Sequence, residues 1–278
     1  MSIRLKETAV EYFQSKAAIY NERYSVSAEG ELVWVRHRAI LGMVQGWELP
    51  EHSRLLDVGC GPGILTRDLA RMGYRGVGID ASPVMIQSSK ELSVSEGTSG
   101  AWSYQLGDVE SLPFPDRSFD AAICSGVIDY LPTDDKLLAE VARVVKPGGR
   151  FIVSFTNKIG YTVMFSTPLY WLKKIPVIRR FSSYLRVLLV GGKHGAMEFN
   201  FLPRKHRASI ARESLLRHGF RIQNDKYVHF SLLPAPLCAL MSRLHLGIDE
   251  RLGDLDRTFL RKVGSCYILD CVVEKQEM

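Results

Sequence analysis

The sequence predicts an α/β fold built around a doubly wound parallel sheet. From about residue 54 to residue 156, short apolar runs of strand character alternate with segments of helical periodicity. The first run ends in a glycine turn that opens a helix, and two later runs end in aspartates, Asp80 and Asp108. Such alternation implies right-handed crossovers and a sheet that helices cover on both faces.

Composition bounds the class of protein. The chain has 278 residues, 46% of them apolar, which is ample for a hydrophobic core, and its net charge of +6 is modest. The cysteines are odd in number and lack metal-ligand spacing, so we expect a reducing, cytoplasmic compartment and no metal site. They are Cys60, Cys124, Cys238, Cys266 and Cys271.

We expect neither a secretory signal nor a membrane-spanning helix. Met1 to Ala9 is charged and lacks the apolar segment of a signal peptide. The longest uncharged stretches, Ile159 to Leu172 and Tyr227 to Ser242, contain proline and fall short of the roughly 20 residues that a spanning helix needs.

Two helices are predicted ahead of the first strand. Apolar residues recur at helical spacing in Thr8 to Tyr24, and Leu32 to Val44 is a second amphipathic segment before the turn at Pro50. Residues 1–50 are therefore predicted to form a helical lid over the carboxyl ends of the strands, ahead of the main domain at residues 51–278.

The predicted elements then follow in order. The first half has a strand at 54–58, a helix at 63–72, a strand at 75–79, a helix at 83–92 and a strand at 102–107. A strand at 119–124, a helix at 134–145 and a strand at 150–155 after the turn Lys146-Pro147-Gly148-Gly149 come next. A helix at 205–218, a strand at 220–230 and a strand at 266–273 complete the set.

The glycine turn carries the clearest functional signal. A dinucleotide fingerprint would need a third glycine where Ile64 stands, whereas the glycines here are Gly59, Gly61 and Gly63. Asp57, just before them, would repel a pyrophosphate but could hold an ammonium group or order the loop amides. The pattern favours a nucleoside with a cationic or zwitterionic tail, such as S-adenosylmethionine. The plain alternative is a turn whose glycines only relieve backbone strain.

Two further carboxylates follow the second and third strands. Asp80 stands 21 residues after Gly59, where it can accept hydrogen bonds from both ribose hydroxyls, although a helix-capping role fits as well. Asp108 could accept from the adenine amino group while Val109 lies against the ring. The alternative for Asp108 is a solvated turn residue.

Taken together, these motifs resemble a class I S-adenosylmethionine-dependent methyltransferase. The matching stretches are Leu55 to Gly63, Gly78 to Asp80, Gly107 to Phe114, Ser118 to Ala122 and Glu140 to Gly149. The resemblance is closest to the small-molecule branch that includes quinone and sterol methyltransferases. It implies a Rossmann-like sheet with an antiparallel last strand, and a main domain that is the methyltransferase domain.

The resemblance also implies the cofactor site. It assigns cofactor contact to Gly59, Cys60, Gly61, Asp80, Ala81, Met85, Asp108, Val109 and Ser125, and Asp57 and Gly63 belong to the same glycine motif. Tyr20 stands where relatives often place a tyrosine over the methionine end of the cofactor, and a buried core tyrosine is the equal alternative.

The sequence assigns no catalytic base. Many relatives carry a histidine pair after strand four, whereas this chain has Ser125 to Leu131 without a histidine. His37, His194 and Asp129 are candidates, but a solvated loop histidine is the commoner case. Methyl transfer from a sulfonium is an in-line displacement that needs alignment and exclusion of water, and a base helps only for some acceptors.

An insertion at about residues 156–203 is predicted to shape the acceptor site. No acidic residue occurs from Val141 to Met197, and basic and aromatic residues alternate through 158–193. This composition favours peripheral contact with an anionic membrane on its inner face. It also fits a lid over a hydrophobic acceptor, or a segment that packs on the sheet with its lysines in water. The modest charge and the lack of a recognisable RNA-binding module argue against nucleic acid.

The sequence thus predicts methyl transfer from S-adenosylmethionine to a small hydrophobic acceptor such as a quinone, lipid or secondary metabolite. The alternatives are methylation of RNA or protein, and a regulatory module that binds the cofactor without catalysis. The sequence specifies no oligomeric state.

Overall fold

The computed structural model describes residues 3–15, 32–160, 164, 171–172, 201–230 and 258–274. The helices among them are α1 (Ile3–Ser15), α2 (Leu32–Gln45), α3 (Ile64–Arg71), α4 (Pro83–Ser95), α5 (Asp135–Val144) and α6 (Ala208–Arg217). The strands are β1 (Arg54–Val58), β2 (Arg75–Asp80), β3 (Trp102–Leu106), β4 (Phe119–Cys124), β5 (Val145–Thr156), β6 (Phe220–Val228) and β7 (Cys266–Val273). Short 3-10 helices occupy Ile128–Tyr130 and Phe259–Val263.

The strands form a seven-stranded sheet in the order β3-β2-β1-β4-β5-β7-β6. β1 pairs in parallel with both β2 and β4, and β7 runs antiparallel to β5 and β6. This order confirms the predicted Rossmann-like sheet with an antiparallel last strand. Because β1 to β4 are parallel, their carboxyl ends meet at one edge, where ligands bind in open α/β sheets.

Alternation along the strands divides the core between the two faces of the sheet. On one face, Leu56 of β1 packs with Leu138 of α5 and Leu215 of α6. On the other face, Leu55 packs with Ile40 of α2 and Leu69 of α3. Helix α2 is therefore part of the sheet's own core. The predicted division of the chain at residue 50 stays a prediction.

Helix α1 lies elsewhere, against α4 and the 3-10 helix Ile128–Tyr130. Two predicted elements need correction. Helix α1 begins at Ile3 rather than at Thr8. Strand β5 begins at Val145 rather than at Arg150, because the residues of the predicted turn, 146–149, form a bulge between the pairs Phe119–Val145 and Ala121–Arg150.

Several predictions lie outside the described residues. They include Tyr20, His194 and most of the insertion with its basic and aromatic residues, so the predicted membrane contact through 158–193 stays a prediction. Within the described residues, no helix is both long and apolar enough to cross a membrane.

Candidate functional site

The glycine turn after β1 forms one side of the site. Gly59 has a φ angle of 77°, a left-handed conformation that favours glycine. A Cβ atom added there would lie 2.2 Å from Cγ2 of Val127, so even alanine would force the neighbouring chain to move. The amides of Gly59 and Cys60 donate to the Ile79 carbonyl at 2.7 and 3.0 Å. The turn is therefore fixed to the end of β2.

Asp80 joins this turn to the start of α4. Its Oδ2 accepts from the Gly61 amide and its Oδ1 from the Ser82 amide, each at 2.9 Å. Burial raises the pKa of Asp80, and the backbone hydrogen bonds oppose that shift. Ser82, and not Asp80, caps the helix, because its side chain accepts from the Met85 amide at 3.3 Å. The Asp80 carboxylate is thus held at the edge of the site with acceptor capacity left for a ligand.

Asp57 is buried beside the turn, with 2% of its surface exposed. Among the described residues, no donor lies within hydrogen-bond distance of its Oδ2. Burial, together with the charge of Asp80, raises the pKa of Asp57 to about 8. The carboxyl group is therefore mostly protonated at neutral pH in this state, and a nearby cation would favour its ionisation.

Asp108 is tied to the N-terminal helix. Its Oδ1 accepts from Nζ of Lys6 at 2.6 Å and from the Glu110 amide at 2.8 Å. Partial burial opposes ionisation, but these hydrogen bonds and the Lys6 charge together lower the pKa of Asp108. Lys6 also contacts Oε2 of Glu110 at 2.6 Å. The helix is thus attached by one cation to two carboxylates that follow β3.

These elements surround a cleft of about 720 Å³, including the part that is open to solvent. Helix α1 contributes one wall, the turns after β1 to β3 a second, and the residues after β4 a third. The lining residues are Lys6, Ala9, Val10, Phe13, Gly59, Gly61, Asp80, Ala81, Ser82, Met85, Val109, Ser125, Gly126, Val127, Tyr130 and Leu131.

Most of the predicted cofactor residues line this cleft. Those that do are Gly59, Gly61, Asp80, Ala81, Met85, Val109 and Ser125. Four others, Asp57, Cys60, Gly63 and Asp108, are not among the lining residues. Cys60 is buried, and a Cβ on Gly78 would lie 2.8 Å from its sulfur, so its side chain packs beneath the turn. Burial also raises the pKa of the Cys60 thiol well above its usual range.

A buried guanidinium lies beside the residues that follow β4. Arg36 of α2 is 9% exposed, and a Cβ on Gly126 would lie 2.6 to 2.7 Å from the atoms of its guanidinium. Because Gly126 lines the cleft, the Arg36 guanidinium lies directly behind this part of the cleft wall. Burial raises the pKa of the Cys124 thiol, and the Arg36 charge opposes that shift in small part.

Four aromatic rings form a cluster at the α1 side of the cleft. We call Tyr12, Phe13, Tyr130 and Phe201 the ring cluster. Phe13 meets Tyr130 edge to face at 5.1 Å between centroids, and Phe201 meets Tyr12 at 5.6 Å and Tyr130 at 6.0 Å. Since Phe13 and Tyr130 line the cleft, this part of it is apolar and suited to a hydrophobic ligand.

Two of the three candidate bases are engaged elsewhere. Nε2 of His37 lies 2.8 Å from Oδ2 of Asp68, on α3, and His37 does not line the cleft. Asp129 is buried and accepts from the amide and hydroxyl of Thr156 at 3.0 and 2.7 Å. The third candidate, His194, lies outside the described residues.

Sequence reasoning missed six residues as parts of the site, namely Lys6, Phe13, Arg36, Val127, Tyr130 and Leu131. The helical spacing of Phe13 was visible, but only the packing of α1 across the strand ends shows which face it presents. The residues after β4 stood out because this chain lacks the histidine pair that many relatives carry there. That difference did not indicate that Val127, Tyr130 and Leu131 line the cleft.

The residues present fit S-adenosylmethionine. The Asp80 carboxylate suits ribose hydroxyls, and Met85 and Val109 offer apolar surface for a base. The unpartnered oxygen of Asp57 suits a cationic group, and the Arg36 guanidinium, which packs against Gly126, suits a carboxylate. Within the described residues, no cluster of three or more histidine, cysteine or acidic side chains could hold a metal ion.

Comparisons with known proteins agree with this geometry. Residues 56–153 match the family described as "Methyltransferase domain". The demethylmenaquinone methyltransferase of Symbiobacterium thermophilum is 30% identical over 173 residues, covering 60% of this chain and 67% of that protein. The sterol 4-C-methyltransferase strm-1 of Caenorhabditis elegans is 36% identical over 106 residues, or 38% of this chain and 32% of that protein. With several other curated relatives, too, the match spans less than half of the relative's length.

The fold also matches solved structures. The magnesium protoporphyrin IX methyltransferase of Synechocystis, solved with bound SAH, has a TM-score of 0.61 at 18% identity, covering 96% of this chain and 99% of that one. At this identity the likeness shows the fold alone. Together with the family match, the relative from Symbiobacterium thermophilum and the glycine turn, it shows that the chain belongs to the class I S-adenosylmethionine-dependent methyltransferase family.

Proposed function

We propose that this protein transfers a methyl group from S-adenosylmethionine to a small hydrophobic acceptor. The observation that carries the proposal is the cleft itself, which joins the polar Asp80 end to the apolar Phe13 and Tyr130 end. Relatives that are named as acting on demethylmenaquinone and on a sterol support a hydrophobic acceptor. A quinol or a lipid of similar polarity is the acceptor class that we infer.

The chain's own residues would do three things. Asp80 would accept hydrogen bonds from the ribose, and Val109 and Met85 would pack on the adenine ring. Asp57 would ionise beside the cationic end of the cofactor. When bound, S-adenosylmethionine supplies an electrophilic methyl group on a positively charged sulfur. Phe13 and Tyr130 would orient the acceptor and exclude water from it.

A cytoplasmic location is part of the proposal. The four cysteines in the described part of the chain, Cys60, Cys124, Cys266 and Cys271, are buried free thiols, which suits a reducing compartment.

The test is transfer of a deuterium-labelled methyl group. The protein is incubated with S-adenosylmethionine carrying a trideuteromethyl group and with a reduced 2-prenyl-1,4-naphthoquinone, a sterol, total RNA or total protein, each in a separate sample. We expect the mass label in the naphthoquinol or in another organic-soluble product, and much less label with the Asp80→Ala variant. Label in RNA or protein alone would contradict the proposal and favour methylation of that macromolecule. Cofactor binding without label in any of these samples would favour the regulatory alternative.

A further inference from the structure

A buried cluster of charged side chains lies behind the cleft wall formed by Tyr130 and Leu131. The imidazole of His206 lies between two carboxylates, with Nδ1 3.1 Å from Oδ1 of Asp129 and Nε2 3.1 Å from Oδ1 of Asp134. The exposed fractions of the three side chains are 5%, 6% and 8%. Both ring nitrogens face acceptors, and an imidazolium, which has two N–H donors, satisfies both.

Arg204 and Thr156 complete this cluster. The Thr156 amide and hydroxyl donate to the Asp129 carboxylate, and the Arg204 amide donates to the Asp129 carbonyl at 2.8 Å. The Arg204 guanidinium lies 2.8 Å from Asp134 and donates to the Leu131 carbonyl at 3.1 Å. Two cations are therefore matched by two carboxylates, and the contacts join β5, the 3-10 helix and the chain at 204–206.

The joined segments carry parts of the cleft. Tyr130 and Leu131, which line it, directly follow Asp129. The chain at 204–206 runs beside the end of β5, since the His206 amide donates to the Thr156 carbonyl at 2.9 Å and the His206 carbonyl accepts from the Lys158 amide at 2.8 Å. Three residues before Arg204, Phe201 packs against the Tyr130 ring. A shift of His206 would therefore move two pieces of the ring cluster.

We propose that His206 is a positioning residue for the acceptor side of the cleft. By bridging Asp129 and Asp134, it holds Tyr130, Leu131 and Phe201 together as one wall. It does not act as a base, because both ring nitrogens face carboxylates and His206 does not line the cleft. The assignment of this wall to the acceptor rests on the proposed function, whereas the bridging role does not.

The wall should also depend on pH. Burial alone would lower the pKa of His206, but the hydrogen bonds and charges of Asp129 and Asp134 raise it to about 9. Within the described residues, these carboxylates face the ring from the 3-10 helix and from the start of α5. Arg204 contacts the same oxygen of Asp134 as the imidazole does, and β5 contributes the uncharged Phe155 ring. The charged imidazolium therefore contributes fully to the stability of this wall below pH 6.5, the ordinary pKa of histidine. That contribution is lost as the pH rises through about 9.

Hydrogen exchange compares the wild type with His206→Gln, and His218→Gln serves as a matched control. His218, at the end of α6, also lies near a carboxylate, 3.5 Å from Asp135, but it does not line the cleft. We expect His206→Gln to speed amide exchange at least tenfold in both 127–133 and 201–207. The glycine turn should be unaffected, and the affinity for SAH should stay within about twofold. The difference between the wild type and His206→Gln should shrink as pH passes 9.

Turnover supplies the second readout. With a reduced 2-prenyl-1,4-naphthoquinone as acceptor, His206→Gln should raise KM at least tenfold with a smaller change in kcat, and His218→Gln should change neither. Exchange that rises in only one segment, or in neither, would overturn the bridging role. Faster exchange with unchanged KM would overturn the acceptor role. If the wild type bound no SAH or methylated no hydrophobic acceptor, the proposed function would fail, and the exchange experiment would still decide the bridging role of His206.

Discussion

Nζ of Lys6 lies 2.6 Å from Oδ1 of Asp108, so a cation of the N-terminal helix α1 holds the carboxylate that follows β3. The same ammonium lies 2.6 Å from Glu110, whose side chain is 10% exposed. Because α1 also supplies Ala9, Val10 and Phe13 to the cleft, these ion pairs attach one whole wall to the strand ends. We therefore expect the ion pairs of Lys6 to slow the release of a bound nucleoside.

Replacing Lys6 should loosen that wall. Partly exposed ion pairs contribute about 0.2–1 kcal/mol each, so Lys6→Gln should speed SAH dissociation about two- to fivefold with little loss of stability. Lys90→Gln, on the exposed side of α4, is the control. Stopped-flow measurement at low and high salt checks this, and the wild-type rate should approach the variant rate as salt screens the pair. An unchanged dissociation rate would show that the ion pairs of Lys6 do not slow the release of the ligand.

Removing the Asp80 carboxylate should weaken cofactor binding. Hydrogen bonds to a charged acceptor contribute about 1.5–3 kcal/mol each, so Asp80→Ala should lower SAH affinity at least about tenfold. Glu91→Ala, an exposed carboxylate of α4, should leave the affinity unchanged. Calorimetry measures both variants, and circular dichroism checks that they fold. An Asp80→Ala variant that is folded and binds SAH normally would show that the ribose lies elsewhere.

Binding of the cofactor should release a proton from Asp57. The pKa of Asp57 is raised to about 8, so at pH 7 the free protein holds this carboxyl group mostly protonated. The ammonium group at the amino-acid end of SAH favours the charged form of a nearby carboxyl group, so the proton should leave on binding. Titrations with SAH at pH 7 in buffers of different ionisation enthalpy should reveal the release. It should vanish above about pH 9 and in Asp57→Asn. Proton uptake, or the same release in Asp57→Asn, would refute this role.

Arg36 should recognise the amino-acid end of the cofactor. Its guanidinium packs on Gly126 at the cleft, where it can pair with a carboxylate. Arg36→Gln should weaken SAH binding about tenfold but leave 5′-methylthioadenosine, which lacks the amino-acid group, within about twofold. Arg38→Gln, on the same helix, is the control. Equal losses for the two ligands would point to a packing defect instead.

Local pattern was enough to predict which strand-end residues lie together at the cleft. Gly59, Gly61 and Asp80 stand at strand ends that a parallel sheet brings to one edge, so their proximity followed from the alternation of elements. The same reasoning gave the bounds of β4 and β7 correctly. The bulge at 146–149 was not predicted, because a proline and two glycines indicate a turn whether or not the strand resumes its pairing afterwards.

The side of the cleft that we assign to the acceptor could not be predicted in this way. Asp129 and His206 stand 77 residues apart, and no periodicity links them. Lys6 of α1 and Asp108 are 102 residues apart, and Arg36, which contacts Gly126, belongs to α2. Such contacts depend on how α1, α2 and the chain at 201–206 pack on the sheet, which the pattern of apolar residues does not specify.

A calorimetric titration of the purified protein with SAH tests the cleft most directly, with NAD titrated into a second sample. We predict saturable SAH binding at one site per chain, weakened at least about tenfold in the Asp80→Ala variant. We predict no binding of NAD, because the turn has Ile64 where a dinucleotide fingerprint needs its third glycine. Absence of heat with SAH at concentrations up to about millimolar, or binding of NAD in its place, would contradict the assignment of a methyl-donor site.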